Sequence, residues 1–185
     1  MPQLGCYASV MNVSVWEGTA MGEEIWLTIR SEFSDVPDLS TLTRITVRLI
    51  LAAILGGVLG YERELKGRSA GVRTHMLVAV GAALFVLGPL QSGMKIGDMS
   101  RVLQGIVQGI GFIGAGAIMV RSTRHQIEGL TTAANIWATA GIGVMAGLGL
   151  EATAVLSAVI VLIILAAVPI VLPKPTAARG DKEDR

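Results

Sequence analysis

Residues 102–120 read Val-Leu-Gln-Gly-Ile-Val-Gln-Gly-Ile-Gly-Phe-Ile-Gly-Ala-Gly-Ala-Ile-Met-Val. Two incompatible interpretations compete for this stretch. Gly109-Ile-Gly111-Phe-Ile-Gly114 matches the dinucleotide fingerprint G-x-G-x-x-G. That chemistry needs a strand before the glycines and a helix opening after them, so that free amides meet a pyrophosphate. Here the glycines sit midway in a nineteen-residue run without a charge. As a helix it reaches roughly 28 Å at 1.5 Å per residue, enough to cross a bilayer core. In hydrocarbon a helix must bond its own backbone, so no amides remain for a phosphate. The run is a membrane span, and the fold class is an all-α polytopic transmembrane bundle.

Four more apolar segments flank it, at residues 42–61, 76–90, 130–150 and 152–172, giving about five spans. Ser40 or Thr41 is a plausible N-cap for the first. Pro89 and Gly93 mark the end of the second. Gly149, Leu150 and Glu151 alone separate the last two, which predicts an antiparallel hairpin. Residues 42–172 therefore form a transmembrane domain, 1–41 an N-terminal tail and 173–185 a charged tail. Within the N-terminal tail, Ile25, Trp26, Ile29 and Phe33 recur at helical spacing between Glu24, Arg30 and Glu32. They predict a short amphipathic helix lying at the membrane interface; a structureless tail is the competing interpretation.

Composition agrees. Of 185 residues, 52% are apolar and 16% charged, against about 25% charged in soluble domains. The mean hydropathy is +0.63. A net charge of +1 offers no footprint for nucleic acid. Cys6 is the only cysteine, so no internal disulfide and no thiolate metal site can form. His75 and His125 fall near predicted helix ends and read as interfacial polar residues, since a zinc site needs three or four ligands. No catalytic residue, metal or cofactor is assigned.

Loop charges set the expected orientation. Arg63, Lys66, Arg68, Arg73, Arg121, Arg124, Lys174, Arg179, Lys182 and Arg185 fall on one side, and only Lys95 and Arg101 on the other. The positive-inside rule places the N-terminus outside and the C-terminus in the cytoplasm. Arg44 and Arg48 oppose this mildly and are expected to snorkel to the interface.

Three groups of residues stand out within the domain. Gly105 with Gly109, Gly56 with Gly60, and Gly143 with Gly147 form small-xxx-small pairs that admit a neighbouring backbone. With Gly111, Gly114 and Gly116 added, the span at 102–120 is expected to be the packed centre. Gln104 and Gln108, and the stripe Thr131, Asn135 and Thr139 beside Thr132, are polar groups that should face inward. They either bond across helices or line a small wet cavity. Finally, Glu62, Arg63 and Glu64 end the first span, with Gly67, Gly71, Arg73 and Thr74 just beyond. Carboxylates at a helix C-terminus oppose its dipole and call for basic partners, with Arg73 and Arg63 the nearest. A solvated charge run is the plainer alternative.

Gly60-x-Glu62-Arg63-Glu64, Ala70-Gly71-Val72-Arg73-Thr74, Arg101, Gly109-Ile-Gly111-Phe-Ile-Gly114-Ala-Gly116 and Gly129-Leu-Thr-Thr-Ala-Ala-x-x-Trp137 occur in one order and spacing. Together they resemble the MgtC/SapB family of bacterial membrane proteins, over about residues 42–168. The resemblance implies an inner-membrane protein of four or five spans. It implies a role linked to growth at low Mg²⁺ and, for the best-known members, to survival inside host macrophages. For some members it implies binding and restraining the F-type ATP synthase. The family's conserved positions carried over here are Glu62, Arg63, Glu64, Gly71, Arg73, Thr74, Arg101, Gly109, Gly111, Gly114, Gly129, Thr132 and Trp137, and of these Glu62, Arg63, Glu64, Arg73, Thr74 and Arg101 are expected to form a functional cluster. Many members carry a soluble domain after the last span; here thirteen residues follow Leu172.

Two functions follow from these residues. One is a non-enzymatic regulator that binds another membrane complex, and a homo-oligomer is compatible with the same grooves. The other is a small transporter or channel for Mg²⁺ or another ion. No carboxylate lies within a predicted span, which argues against a Mg²⁺ path. An intramembrane enzyme is disfavoured, because the sequence has no H-E-x-x-H and no Ser–His pair at one depth. The charge asymmetry predicts that a periplasm-active reporter fused to the C-terminus stays silent and a cytoplasm-active one reports. Strong periplasmic signal reverses the topology.

Overall fold

The computed structural model describes residues 21–32, 38–119 and 129–171. His125, Arg121, Arg124 and the charged tail lie outside them. The chain divides into two compact units, Met1–Arg44 and Ile45–Arg185. In the first, residues 21–32 form helix α1, with every residue exposed. Helix α2 then spans Leu39–Leu65. Its start is capped by Asp38 rather than by Ser40 or Thr41. The Thr41 amide donates to Asp38 Oδ1 at 2.8 Å, and the Ser40 hydroxyl to Oδ2 at 2.9 Å. Hydrogen bonds from the Thr41 hydroxyl and amide and from Ser40 hold the Asp38 carboxyl below its usual range.

In the second unit, α3 (Val72–Gln91), α4 (Met99–Met119, after a 3₁₀ turn at Ile96–Asp98), α5 (Leu130–Leu148) and α6 (Glu151–Val171) complete an all-helical bundle. The expected segments agree with these to within a few residues. By length and composition, α2, α3 and Ile96–Ile118 are each apolar enough to cross a membrane, and Glu151–Ala167 is a shorter apolar helix. Helix α5 forms the core and buries the polar residues Thr132, Asn135 and Thr139. It packs against α3, α4 and α6.

The bundle is inside-out relative to a soluble protein. Along α2, Val47, Ile50, Ile54 and Val58 are exposed on one stripe. The opposite face buries Ala52, Gly56, Leu59, Gly60 and Arg63. Large apolar side chains outside and small or polar ones inside suit lipid as the solvent.

Glycine decides which helices meet. A Cβ at Gly56 would lie 2.5 Å from the His75 carbonyl oxygen, and one at Gly60 2.7 Å from Val72 Cα. One at Gly143 would collide with the Ala79 carbonyl, and one at Gly147 would reach the Ala83 carbonyl at 2.8 Å. So α2 and α5 both lie backbone-close on α3, as two of the three small-residue pairs anticipate.

The third pair requires a correction. Cβ atoms built at Gly105, Gly109, Gly111 or Gly116 meet nothing within 4 Å, and one at Gly114 makes only ordinary contact with Ala133. Helix α4 is therefore peripheral within the chain, and α3 with α5 forms the centre. Arg48 reaches the turn between α5 and α6, where it lies 3.5 Å from Glu151 and donates to the Gly147 carbonyl at 3.2 Å. It thereby fills an orphan acceptor where Gly149, at φ +82°, closes α5.

These contacts predict a contrast between glycines. Gly143→Ala should cost about 1–3 kcal/mol by overpacking, read as a lower detergent melting temperature. Gly141→Ala, on the same helix but where a Cβ would meet nothing within 4 Å among the described residues, should not lower it. Equal effects at the two positions would contradict the α3–α5 packing.

Candidate functional site at the α2–α3 corner

Helix α2 ends in a Schellman turn. Gly67, at φ +63°, donates to the Glu64 carbonyl at 2.9 Å, and Arg68 N donates to the Arg63 carbonyl at 3.0 Å. The turn brings the start of α3 back beside the last turn of α2. There the Val72 amide donates to Glu64 Oε2 at 3.0 Å. Gly71 precedes α3 in extended geometry and caps nothing with a side chain. A Cβ on it would sit 2.6 Å from that same Glu64 oxygen. This explains the carboxylate at the wrong end of α2: it serves the N-terminus of α3, where a negative charge is favourable. The predicted Arg73 partnership is thereby corrected. Arg73 is exposed and joins no ion pair with Glu62 or Glu64 among the described residues.

Glu62 instead pairs within its own helix. Lys66 Nζ rests on Oε1, and Arg63 Nη1 lies 3.7 Å from Oε2. These are ion pairs rather than well-aligned hydrogen bonds. Arg63 is only 3% exposed, and its Nε–H has no hydrogen-bond partner among the described residues. Lys66 reaches further and donates to the Leu165 carbonyl of α6 at 2.7 Å. Four residues on stands Pro169, inside α6. Proline has no N–H to offer the carbonyl at i−4, so Leu165 O would otherwise be an orphan acceptor in an apolar helix. Lys66 fills it. Sequence reasoning missed Lys66 in this role, although the proline spacing carried the signal.

Deeper in, His75 is fully buried, not interfacial. The Gly71 carbonyl accepts from the His75 amide at 3.2 Å and lies 2.9 Å from ring Nδ1. A carbonyl only accepts, so Nδ1 carries the proton. Nε2 is then an acceptor, and Asn135 Nδ2 donates to it at 2.9 Å. Asn135, 2% exposed, leaves its Oδ1 without a partner among the described residues. The backbone carbonyl of Asn135 accepts the Thr139 hydroxyl at 2.8 Å.

Of the expected polar residues, Thr132, Asn135 and Thr139 are buried, and Thr74 is half-buried beside His75. Thr131 is exposed, because the inward face of α5 runs through 132, 135 and 139. Gln104 and Gln108 are exposed, contrary to the inward placement expected of them. Arg101 is exposed at the start of α4, separated from Glu62 by the length of α3, and Trp137 is exposed on α5. Among the described residues no group of three His, Cys, Asp or Glu side chains could hold a metal ion.

Residues 49–172 match the model of the MgtC family. A protein named SrpB from Synechococcus elongatus is 46% identical over 110 residues, covering 54% of this chain and 60% of the relative. A protein named putative magnesium transporter YhiD from Escherichia coli K12 is 49% identical over 105 residues, covering 53% and 48%. Protein MgtC of Salmonella typhimurium LT2 is 44% identical over 98 residues, covering 53% and 41%. The chain spans about half the length of the curated relatives it matches. No solved structure matches it.

The Lys66–Leu165 bond yields a paired test. Lys66→Met should lower stability by about 1–3 kcal/mol, the cost of orphaning a buried acceptor. Adding Pro169→Ala, which restores an amide at i+4, should recover part of that loss in a double-mutant cycle. Strict additivity would show that Lys66 does not serve this carbonyl.

Proposed function

The chain belongs to the MgtC family, and from that premise we propose that it is a non-enzymatic membrane regulator in Mg²⁺ homeostasis, acting by docking onto another membrane complex. The observation that carries this reading is how the charges are used. Glu62, Arg63 and Lys66 are tied to one another, Glu64 to the α3 terminus, and Arg48 to Glu151. Backbone-close contacts at Gly56, Gly60, Gly143 and Gly147 seal the α2–α3–α5 interior. A carrier needs carboxylates free to take up a strongly hydrated cation and let it go. A sealed, internally neutralised bundle is suited to being a rigid partner. In this proposal the protein sits in the bacterial inner membrane with its C-terminus in the cytoplasm, which puts the α2–α3 corner at the cytoplasmic face. The F-type ATP synthase is the proposed target.

A transporter is the second reading, and one observation favours it: Asn135 Oδ1 is a buried acceptor with no hydrogen-bond partner among the described residues. The name of the relative YhiD points the same way.

The two readings separate experimentally. The regulator requires that the full chain, purified from its native membrane, carries a membrane complex in fixed stoichiometry, with ATP synthase subunits the expected ones. It also requires that liposomes of the chain alone show no Mg²⁺ entry above empty vesicles. Mg²⁺ entry abolished by Asn135→Leu, with no co-purifying complex, would replace the regulator by the transporter.

A further inference from the structure

The outward face of α4 presents Arg101, Gln104, Gly105, Gln108, Phe112 and Gly116, all exposed. At 100° per residue these positions share one side of the helix, opposite the face that packs on α3 and α5. Gln108 is the tenth of twenty-one residues, so it lies near mid-membrane. Neither glutamine makes a hydrogen bond among the described residues. An amide facing hydrocarbon without a partner costs several kcal/mol by the usual estimate. A lipid-facing surface does not account for two of them one turn apart, flanked by glycines. A helix interface does.

We propose that this face is where a second copy of the same chain docks, α4 against α4, about a two-fold axis along the membrane normal. Three features make the surface complementary to itself. First, a glutamine amide both donates and accepts, so two Gln108 side chains across the axis can bond reciprocally. Second, Phe112 is 84% exposed and stands beside a groove of about 600 Å³ between α3 and α4, lined by Leu77, Gly81, Phe85, Gly105 and Gly109. A helical side chain leans over the turn before its own Cα. Because both copies share one orientation in the membrane, each Phe112 leans to the level of Gly109 on the other copy. The glycines there leave room for it. Third, Asp98 and Arg101 are both exposed and form no ion pair with each other among the described residues. A two-fold axis through the start of α4 lets each Asp98 meet the other copy's Arg101 at the membrane surface. This docking stands beside the regulator reading and does not rest on it.

The test uses the full chain in its native membrane, with Cys6→Ser removing the natural thiol. Gln108→Cys and Phe112→Cys are oxidised in separate samples, with Ile160→Cys on α6 as an exposed control. Disulfide-linked species at twice the chain mass should form at least tenfold more with Gln108→Cys and Phe112→Cys than with Ile160→Cys. A fluorescent fusion of the unsubstituted chain should bleach in two steps. Gln104→Leu with Gln108→Leu should lower the two-step fraction several-fold at unchanged membrane level. Single-step bleaching of the unsubstituted chain overturns the proposal, even where a cysteine variant fails to accumulate. So does cross-linking as strong at Ile160→Cys, or an adduct of a different mass, which would assign the face to another protein's helix. Two-step bleaching with no co-purifying complex would reject the regulator and keep the dimer; the reverse pattern would do the opposite.

Discussion

The backbone of α3 lies directly on glycines of two neighbours, and the rest of the bundle depends on that closeness. Gly56 and Gly60 admit it on the α2 side, and Gly143 and Gly147 on the α5 side. In water, helices associate because apolar surface leaves the solvent. In lipid that drive is absent, and van der Waals contact at close approach has to replace it. Ala79, Ala82 and Ala83, all buried, extend the same logic along α3. Close approach also brings polar groups on different helices within bonding distance. His75 on α3 reaches Asn135 on α5 because Gly143 and Gly147 let the two backbones approach closely.

The charged corner at the end of α2 follows from the same compactness. Its Schellman turn is short enough for Glu64 to reach over and serve as the N-terminal anion of α3, with Gly71 leaving space for the carboxylate. Lys66 leaves the end of α2 to repair the carbonyl that Pro169 orphans in α6. Arg48, earlier on α2, does comparable work at the opposite end of α6, with Glu151 and the Gly147 carbonyl of α5. Helix α2 is therefore fastened to the hairpin of α5 and α6 by a cation at each end. In a low-dielectric medium such pairs are strong while intact and expensive to break on one side. This charge use, rather than a free carboxylate on a pathway, underlies the proposed regulator.

Outward surfaces divide into two kinds. Helix α2 shows lipid a stripe of Val and Ile. Helix α4 shows glycine, glutamine and a protruding phenylalanine. The second kind is the surface that a bilayer solvates poorly, and it is the one on which the proposed second copy docks.

Much of this was legible in the chain itself. The five apolar segments, their limits to within a few residues, the turn glycines, the loop charges and two of the three glycine pairs all follow from composition and spacing. The family pattern also singled out Glu62, Arg63 and Glu64. Tertiary structure alone decided which helix is central and which polar groups meet. It placed α5 rather than α4 at the core, turned Gln104 and Gln108 outward, exposed Thr131, buried His75 against Asn135, and gave Glu64 to Val72 instead of Arg73. The reason is physical. Helical spacing says which residues share a face. In a soluble protein, hydrophobicity then says which face is inside. When lipid outside is as apolar as the interior, that second signal vanishes, and only the fit of one helix against another tells the two faces apart.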